Sequence, residues 1–351
     1  MSGKSGPGIY DSLVFPVRSA NPDKQSVPWI VSSNQKTLNQ EEVKKLNDIN
    51  TTSFLIIQDN EIILEKYFGS HDANTKSNSF SAAKSFIGLS IGIAVDHGFI
   101  KSLDDTITNY LPFSMKGAGN ITIRHLLAMS SDINWSESGS NPLSDNAWAY
   151  YGSDLSHVIQ RVSFGKRPGT EFEYASGNSQ LLGFILQEAT GLTPTAFVEK
   201  YIWSKLGTES RLSWSLDSDD GMEKAFCCIY ATTRDYARFG QLILNEGEYK
   251  NEQIISNAMM KELSKPLLND TPQYGLHFWI LNNPENPTVY ARGILGQYII
   301  AIPSMNMVIV RTGHERKEKY PMKKNDYRSL HPKDLFTYIS IAKRVALKSN
   351  N

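Results

Sequence analysis

Apolar residues gather into short β-type runs near both ends of the chain and fall at helical spacing through its middle. Residues 53–58 and 61–68 are rich in Ile, Leu, Tyr and Phe and are separated by Asp59-Asn60, which predicts a hairpin. The apolar run 86–95 predicts a buried helix that opens near Ser81. A second helix is predicted over 121–129 with Asn120 or Thr122 as its cap. Two more, over 178–190 and 194–206, are separated by Gly191, and another over 233–245 stops at Gly247. Beyond about residue 270, the runs 274–281, 288–293, 297–302 and 307–311 are aromatic or β-branched and divided by Pro and Asn, which predicts strands. A helix over 332–347 closes the chain. Residues 1–40 carry Pro7, Pro16, Pro22 and Pro28 and are expected to be extended and weakly structured.

Strands at both ends around a helical middle predict an α+β fold, with one antiparallel sheet that is discontinuous in sequence and a helical lobe beside it. The expected division is an extended segment over 1–40 and a single domain over 41–350. Within that domain, about 41–80 and 265–348 form the sheet lobe and about 81–264 the helical lobe. A cleft between lobes is a common place for an active site, and Ser81 falls where strands hand over to helices.

At 351 residues and 40% hydrophobic, the chain can bury a large core. Thirty-six basic residues balance thirty-six acidic ones, so nothing draws the protein toward nucleic acid or an anionic membrane. A basic run from Arg316 to Lys324 is expected to be a solvated loop. Cys227 and Cys228 are adjacent and are expected to be small buried packing residues rather than a disulfide framework. The seven histidines show no metal-ligand spacing. No stretch is long enough to span a bilayer. No signal peptide is visible at the start of the chain, which leaves the compartment open.

The candidate chemistry begins at Ser81-Ala82-Ala83-Lys84. Residues three apart share a helix face, so Lys84 can reach the Ser81 hydroxyl. A serine is a poor nucleophile until a neighbouring base takes its proton, and a lysine can be that base when its surroundings disfavour the charge. The Ser81 backbone N–H would face a developing oxyanion from the first turn of the helix. The competing reading of Ser81 is an ordinary helix cap. The same spacing recurs at Ser33/Lys36, Ser163/Lys166 and Ser340/Lys343, but only Ser81 opens a strongly apolar helix. Gly88-Leu89-Ser90-Ile91-Gly92 matches the G-x-S-x-G elbow, yet it lies inside that helix instead of between a strand and a helix. Its small residues are expected to allow close helix packing.

Two further elements complete a candidate site. Tyr174-Ala175-Ser176 follows the Pro168-Gly169 turn and precedes an apolar helix, so Tyr174 can carry a proton to a leaving group; the competing reading is a loop tyrosine with its ring packed and its hydroxyl in water. Gly293-Ile294-Leu295-Gly296-Gln297 lies between two predicted strands, where glycines let the backbone approach a ligand and could supply a second oxyanion donor; taken alone, the segment reads as an ordinary tight turn.

The order Ser81-x-x-Lys84, Tyr174-Ala175-Ser176 and a late glycine-bearing strand resembles the serine β-lactamase and penicillin-binding-protein superfamily. The likeness is strongest to the branch holding class C β-lactamases, D,D-peptidases, esterases and 6-aminohexanoate-dimer hydrolases. The segments 120–135, 172–183 and 231–240 resemble the same family, and the likeness spans roughly residues 50–345. It implies a β-lactamase/transpeptidase-like fold and a Ser-Lys-Tyr acyl-enzyme mechanism without metal or organic cofactor. Ser81 would be the nucleophile, Lys84 the base and Tyr174 the proton carrier. The backbone N–H groups of Ser81 and Ile294 would form the oxyanion hole, and Ser176, Gly293, Gly296 and Gln297 would contact substrate.

Two departures bear on the substrate. Ser176 stands where the family often has Asn, and Ala291-Arg292-Gly293 replaces Lys-Thr-Gly or His-x-Gly. The lost cation weakens recognition of a β-lactam or peptidoglycan carboxylate. Neighbouring strand residues point to opposite faces, so the sequence leaves open whether Arg292 enters the site. The reading is therefore a hydrolase of small esters or amides, ahead of a β-lactamase or D,D-peptidase. A catalytically silent ligand-binding relative is the remaining alternative. The expected partner is a small ester, amide or peptide, and the oligomeric state stays open.

Overall fold

A computed structural model describes residues 6–22, 24, 26–139, 141–323 and 326–347. Met1 to Ser5 of the N-terminal segment, Lys324 of the basic run and the last residues of the expected domain lie outside that range.

The predicted hairpin is β1 (Thr51–Gln58) and β2 (Glu61–Tyr67). Asp59 and Asn60 turn the chain at φ 51° and 67°, the left-handed pair that matches the twist of a two-residue hairpin. From the far end of the chain come β3 (Trp279–Leu281), β4 (Thr288–Gly293), β5 (Gln297–Ile302) and β6 (Met307–Gly313). The sheet runs β3-β4-β5-β6-β1-β2, and Ile30–Val31 adds to β2 in parallel at the edge. The expected strand over 274–281 is shorter than predicted, because residues 274–278 turn back on themselves and Gly275 N–H donates to the Phe278 carbonyl.

Both faces of the sheet are covered, which explains the nearly unbroken apolar runs. Leu55, Ile57, Val308 and Val310 enter one core with Phe239, on helix α3 (Thr233–Leu244). Their neighbours Phe54, Ile56, Ile309 and Ile300 enter a second core with Tyr338 and Ala342, on helix α4 (Lys333–Leu347). The alternation follows the two-residue period of a strand.

The N-terminal segment is more ordered than its prolines imply. Val17–Ala20 pairs with Leu212–Ser215 in a small antiparallel sheet continued by Ile229–Ala231 and Ser77–Asn78. That sheet delivers the chain to the site, since Ser77–Asn78 is followed by a single 3₁₀ turn, Phe80–Ala82, and then helix α1 (Ala83–Asp96). Helix α1 is buried on every side along most of its length, as its all-round apolarity requires. Ser90 Oγ donates to the Phe86 carbonyl at 2.8 Å, and a Cβ on Gly88 would meet the His277 Cβ at 2.8 Å. The G-x-S-x-G match is thus a helix-packing surface, as expected. Helix α2 (Ser176–Thr190) follows Tyr174 directly, and the predicted helix over 121–129 contracts to Ile123–Leu127 with Thr122 as its cap. No single helix among the described residues is long and apolar enough to cross a membrane.

Candidate active site

Ser81 sits in the 3₁₀ turn because Phe80, just before it, takes a left-handed backbone with φ 45°. Such a conformation costs a bulky residue about 1–3 kcal/mol and persists only where the surroundings fix it. Here the Phe80 N–H donates to Asn78 Oδ1 at 2.8 Å, and the Ser79 N–H donates to the Ile229 carbonyl at 2.7 Å. The turn leaves Ser81 half-buried at the edge of a cavity of 520 Å³, with Lys84 buried one helical turn further on.

Lys84 Nζ donates to three oxygens: the Phe226 carbonyl at 2.7 Å, Ser176 Oγ at 3.1 Å and Ser81 Oγ at 3.2 Å. Ser176 is itself fixed. Its Oγ donates to Glu137 Oε1 at 2.7 Å and its N–H to Glu137 Oε2 at 2.7 Å, and the same oxygen accepts from Trp135 Nε1 at 2.8 Å. A carboxylate only accepts, so Ser176 must give its proton to Glu137 and offer a lone pair to Lys84. With Phe226 O and Ser176 Oγ both acceptors, the third tetrahedral position of Nζ is the one aimed at Ser81. A neutral amine held this way points its lone pair at the Ser81 hydroxyl.

Tyr174 lines the same cavity, and Lys84 Nζ stands 5.1 Å from the centroid of its ring. The ring also stacks against Trp279 at 5.9 Å, and the Arg292 guanidinium lies 3.5 Å from the Trp279 centroid. Arg292 therefore does enter the site, and Ala291 packs into the core instead. Arg316 and Lys319 line the cavity as well, so the basic run is not simply a solvated loop. Burial and the nearby Arg292 charge hold the Arg316 guanidinium below its ordinary pKa. Burial together with Arg292 and Arg316 brings Lys319 down to about 8.

Gly293 and Ile294 line the cavity opposite the Ser81 turn. A Cβ on Gly293 would lie 2.2 Å from the Ser79 carbonyl oxygen, so only glycine lets β4 come this close to the Ser81 segment. Gly296 and Gln297 do not line the cavity. Gly296 has φ 82°, and a Cβ there would strike Arg311 Nη1. Gln297 turns inward, where its Nε2 donates to the Gly313 carbonyl at 2.6 Å. Their expected contact with substrate gives way to a role in the β4–β5 turn, which the buried Arg311 holds through the Leu295, Gly296 and Glu315 carbonyls.

Cys227 and Cys228 are buried, as expected, but they are joined to each other by a disulfide instead of standing as two separate packing residues. Cys227 lines the cavity beside Phe226. Sequence reasoning also missed Glu137, the Phe226 carbonyl and the inward turn of Arg316 and Lys319. Glu137 had no motif of its own, because its part depends on a contact with Ser176 across 39 residues.

The constellation supplies a hydroxyl, an amine aimed at it, a phenol alongside and backbone approaching from β4. The Beta-lactamase family model matches residues 39–331. The 6-aminohexanoate-dimer hydrolase of Paenarthrobacter ureafaciens is 24% identical across 76% of this chain and 74% of its own. Among solved structures, a Bacillus anthracis protein described as a candidate 6-aminohexanoate-dimer hydrolase superposes with a TM-score of 0.77 at 22% identity, covering 95% of this chain and 91% of that one. A family VIII carboxylesterase superposes with a TM-score of 0.63 at 16% identity, over 88% of this chain and 99% of its own. With the matched region running from before β1 to just short of α4 and enclosing all three motifs, this chain is a member of the Beta-lactamase family.

Proposed function

We propose that the protein is a serine hydrolase of small esters or amides that works through an acyl-enzyme on Ser81. The observation that carries this reading is the tripod on Lys84. Two acceptors fix two of its positions, and the third faces Ser81 Oγ at 3.2 Å. Neutral Lys84 takes the Ser81 proton as Oγ adds to the substrate carbonyl carbon. The oxyanion is met by the Ser81 and Ile294 backbone N–H groups. Tyr174 passes the proton to the leaving oxygen or nitrogen as its bond to the carbonyl carbon breaks. Water then adds to the acyl-enzyme, giving one proton back through the same groups, and the acid leaves as Ser81 regains its hydrogen.

The cavity of 520 Å³ suits a small substrate. The relatives add support, being a hydrolase and a carboxylesterase by name. The test is turnover of 4-nitrophenyl butyrate by wild type and by Ser81→Ala. Wild type should hydrolyse the ester and the variant should not, while both give the same circular dichroism and melting curve. Equal turnover by a folded Ser81→Ala protein would refute the assignment.

A further inference from the structure

Resting on Ser81 as the nucleophile, we propose that the Cys227–Cys228 disulfide positions both the base and the nucleophile, and that a dithiol which opens it slows turnover. The two sulfurs belong to a four-residue segment, 226–229, that bears on the catalytic pair from each end. At one end the Phe226 carbonyl accepts from Lys84 Nζ at 2.7 Å, the shortest of the three bonds on that amine. At the other, Ile229 grips the turn that carries Ser81. Its carbonyl accepts from the Ser79 N–H at 2.7 Å, and its own N–H donates to Ser79 Oγ at 3.2 Å. The pairing continues through Tyr230 and Ala231, which lie opposite Asn78 and Ser77. Between these two anchors stand Cys227 and Cys228, bonded to each other.

Adjacent cysteines joined through sulfur close an eight-membered ring, which restricts the peptide unit between them. Cys228 has φ 73°, a left-handed backbone that a residue with a side chain keeps only where its surroundings impose it. The strand side is held independently of the ring, since the Cys227 carbonyl accepts from Trp214 Nε1 at 2.8 Å and the Cys228 carbonyl from the Ser215 N–H at 3.0 Å. Once the ring opens, Cys228 relaxes toward negative φ. With residues 229–231 fixed by their pairing, the displacement falls on Phe226 and so on Lys84. The bond can be reached, because Cys227 lines the cavity of 520 Å³ beside Ser81, whereas Cys228 is buried behind it. A thiolate of the dithiol attacks the Cys227 sulfur, the S–S bond breaks, and Cys228 leaves as a thiolate that takes up a proton. The second thiolate of the dithiol then displaces Cys227, which is protonated in turn. The dithiol departs as a cyclic disulfide, having passed two electrons to the protein.

The test equilibrates wild-type protein with oxidised or with reduced dithiothreitol, removes the reagent under nitrogen, and counts thiols by alkylation in urea and mass measurement. The form with two thiols should hydrolyse 4-nitrophenyl butyrate with kcat lower by about tenfold or more. Its circular dichroism should be unchanged, and reoxidation should restore the rate. Two double variants separate positioning from packing. Cys227→Ala/Cys228→Gly keeps a residue that takes a left-handed backbone freely. It should retain several-fold more kcat than Cys227→Ala/Cys228→Ala, and neither variant should respond to dithiothreitol. A further arm needs no turnover: on reduction of wild type, amides of residues 79–84 should exchange hydrogen faster. Faster exchange in a protein that hydrolyses no ester would support the positioning role and fail the nucleophile assignment alone. Equal and measurable kcat for the open and closed forms, equal exchange at 79–84, double variants of equal activity, or a disulfide that does not close in oxidised dithiothreitol would overturn the proposal.

Discussion

Replacing Gly293 with alanine should damage catalysis more than its distance from the chemistry implies. An alanine Cβ would lie 2.2 Å from the Ser79 carbonyl oxygen and 3.1 Å from the Phe80 Cβ. Neither neighbour is the free end of a flexible side chain. Ser79 is pinned to Ile229 through its N–H, and Phe80 is pinned to Asn78. Relief of the clash requires β4 and the Ser81 turn to separate by about 1 Å, because an ordinary contact between these atoms is roughly 3.2–3.5 Å. Overpacking of this kind costs about 1–3 kcal/mol of stability. The same displacement moves the Ile294 N–H away from the position proposed for the oxyanion, and misplacement by about 1 Å lowers turnover by roughly a hundredfold, or about 2.7 kcal/mol in the barrier. The assay is kcat and KM for 4-nitrophenyl butyrate alongside urea unfolding. Gly119→Ala serves as the control, since a Cβ there meets nothing within 4 Å. Gly293→Ala should lose most of kcat while remaining folded. A variant with wild-type kcat and wild-type stability would refute the argument that this close approach positions the oxyanion donor.

Three further outcomes are expected. Glu137→Gln removes the charged acceptor that sets the Ser176 hydroxyl; with a charge-assisted hydrogen bond contributing about 1.5–3 kcal/mol, kcat should fall roughly 10- to 100-fold and the pH–rate profile should move. A kcat within about twofold of wild type would remove Glu137 from the account. Arg311→Met leaves the Ile49, Leu295, Gly296 and Glu315 carbonyls without their buried donor, so urea unfolding should show a loss of roughly 3 kcal/mol or more, and an unchanged midpoint would contradict this. His277 is buried with its pKa pushed down to about 3, chiefly by burial. The unfolded chain therefore takes up a proton there at pH 5 that the folded chain does not. Its contribution to stability is full above about pH 6.5 and is lost as pH falls toward 3. His277→Gln should flatten the pH dependence of stability between pH 4 and 6 by up to about one proton, and an unaltered slope would show that His277 is not the group responsible.

The parts of the fold legible in the sequence were those where local pattern and tertiary demand agree. The β1–β2 hairpin, with Asp59-Asn60 at its turn, and helix α1, apolar all round, could be read from neighbours alone. Residues 17–20 were missed because a short strand of mixed polarity becomes a strand only by pairing with Leu212–Ser215, far along the chain. The site divides in the same way. Ser81 and Lys84 are one helical turn apart, and that spacing is local. The Phe226 carbonyl reaches Lys84, and Glu137 reaches Ser176, from distant segments, and a carbonyl has no side-chain signature to read. The alternation rule argued both ways for Arg292. It was the packing of Ala291 into the core that turned its neighbour into the cavity. The family resemblance implied that Gly296 and Gln297 contact substrate, but the buried Arg311 and the Gly313 carbonyl claim them for the turn.

The central claim is that Ser81 carries the acyl group, and it is tested most directly by trapping that intermediate. Wild-type protein mixed with 4-nitrophenyl butyrate is quenched in acid during steady-state turnover, digested, and its peptides weighed. The account predicts a butyryl adduct on the peptide containing Ser81, absent from Ser81→Ala and formed much more slowly by Lys84→Met. Turnover with no adduct on that peptide, or an adduct on another serine, would contradict it.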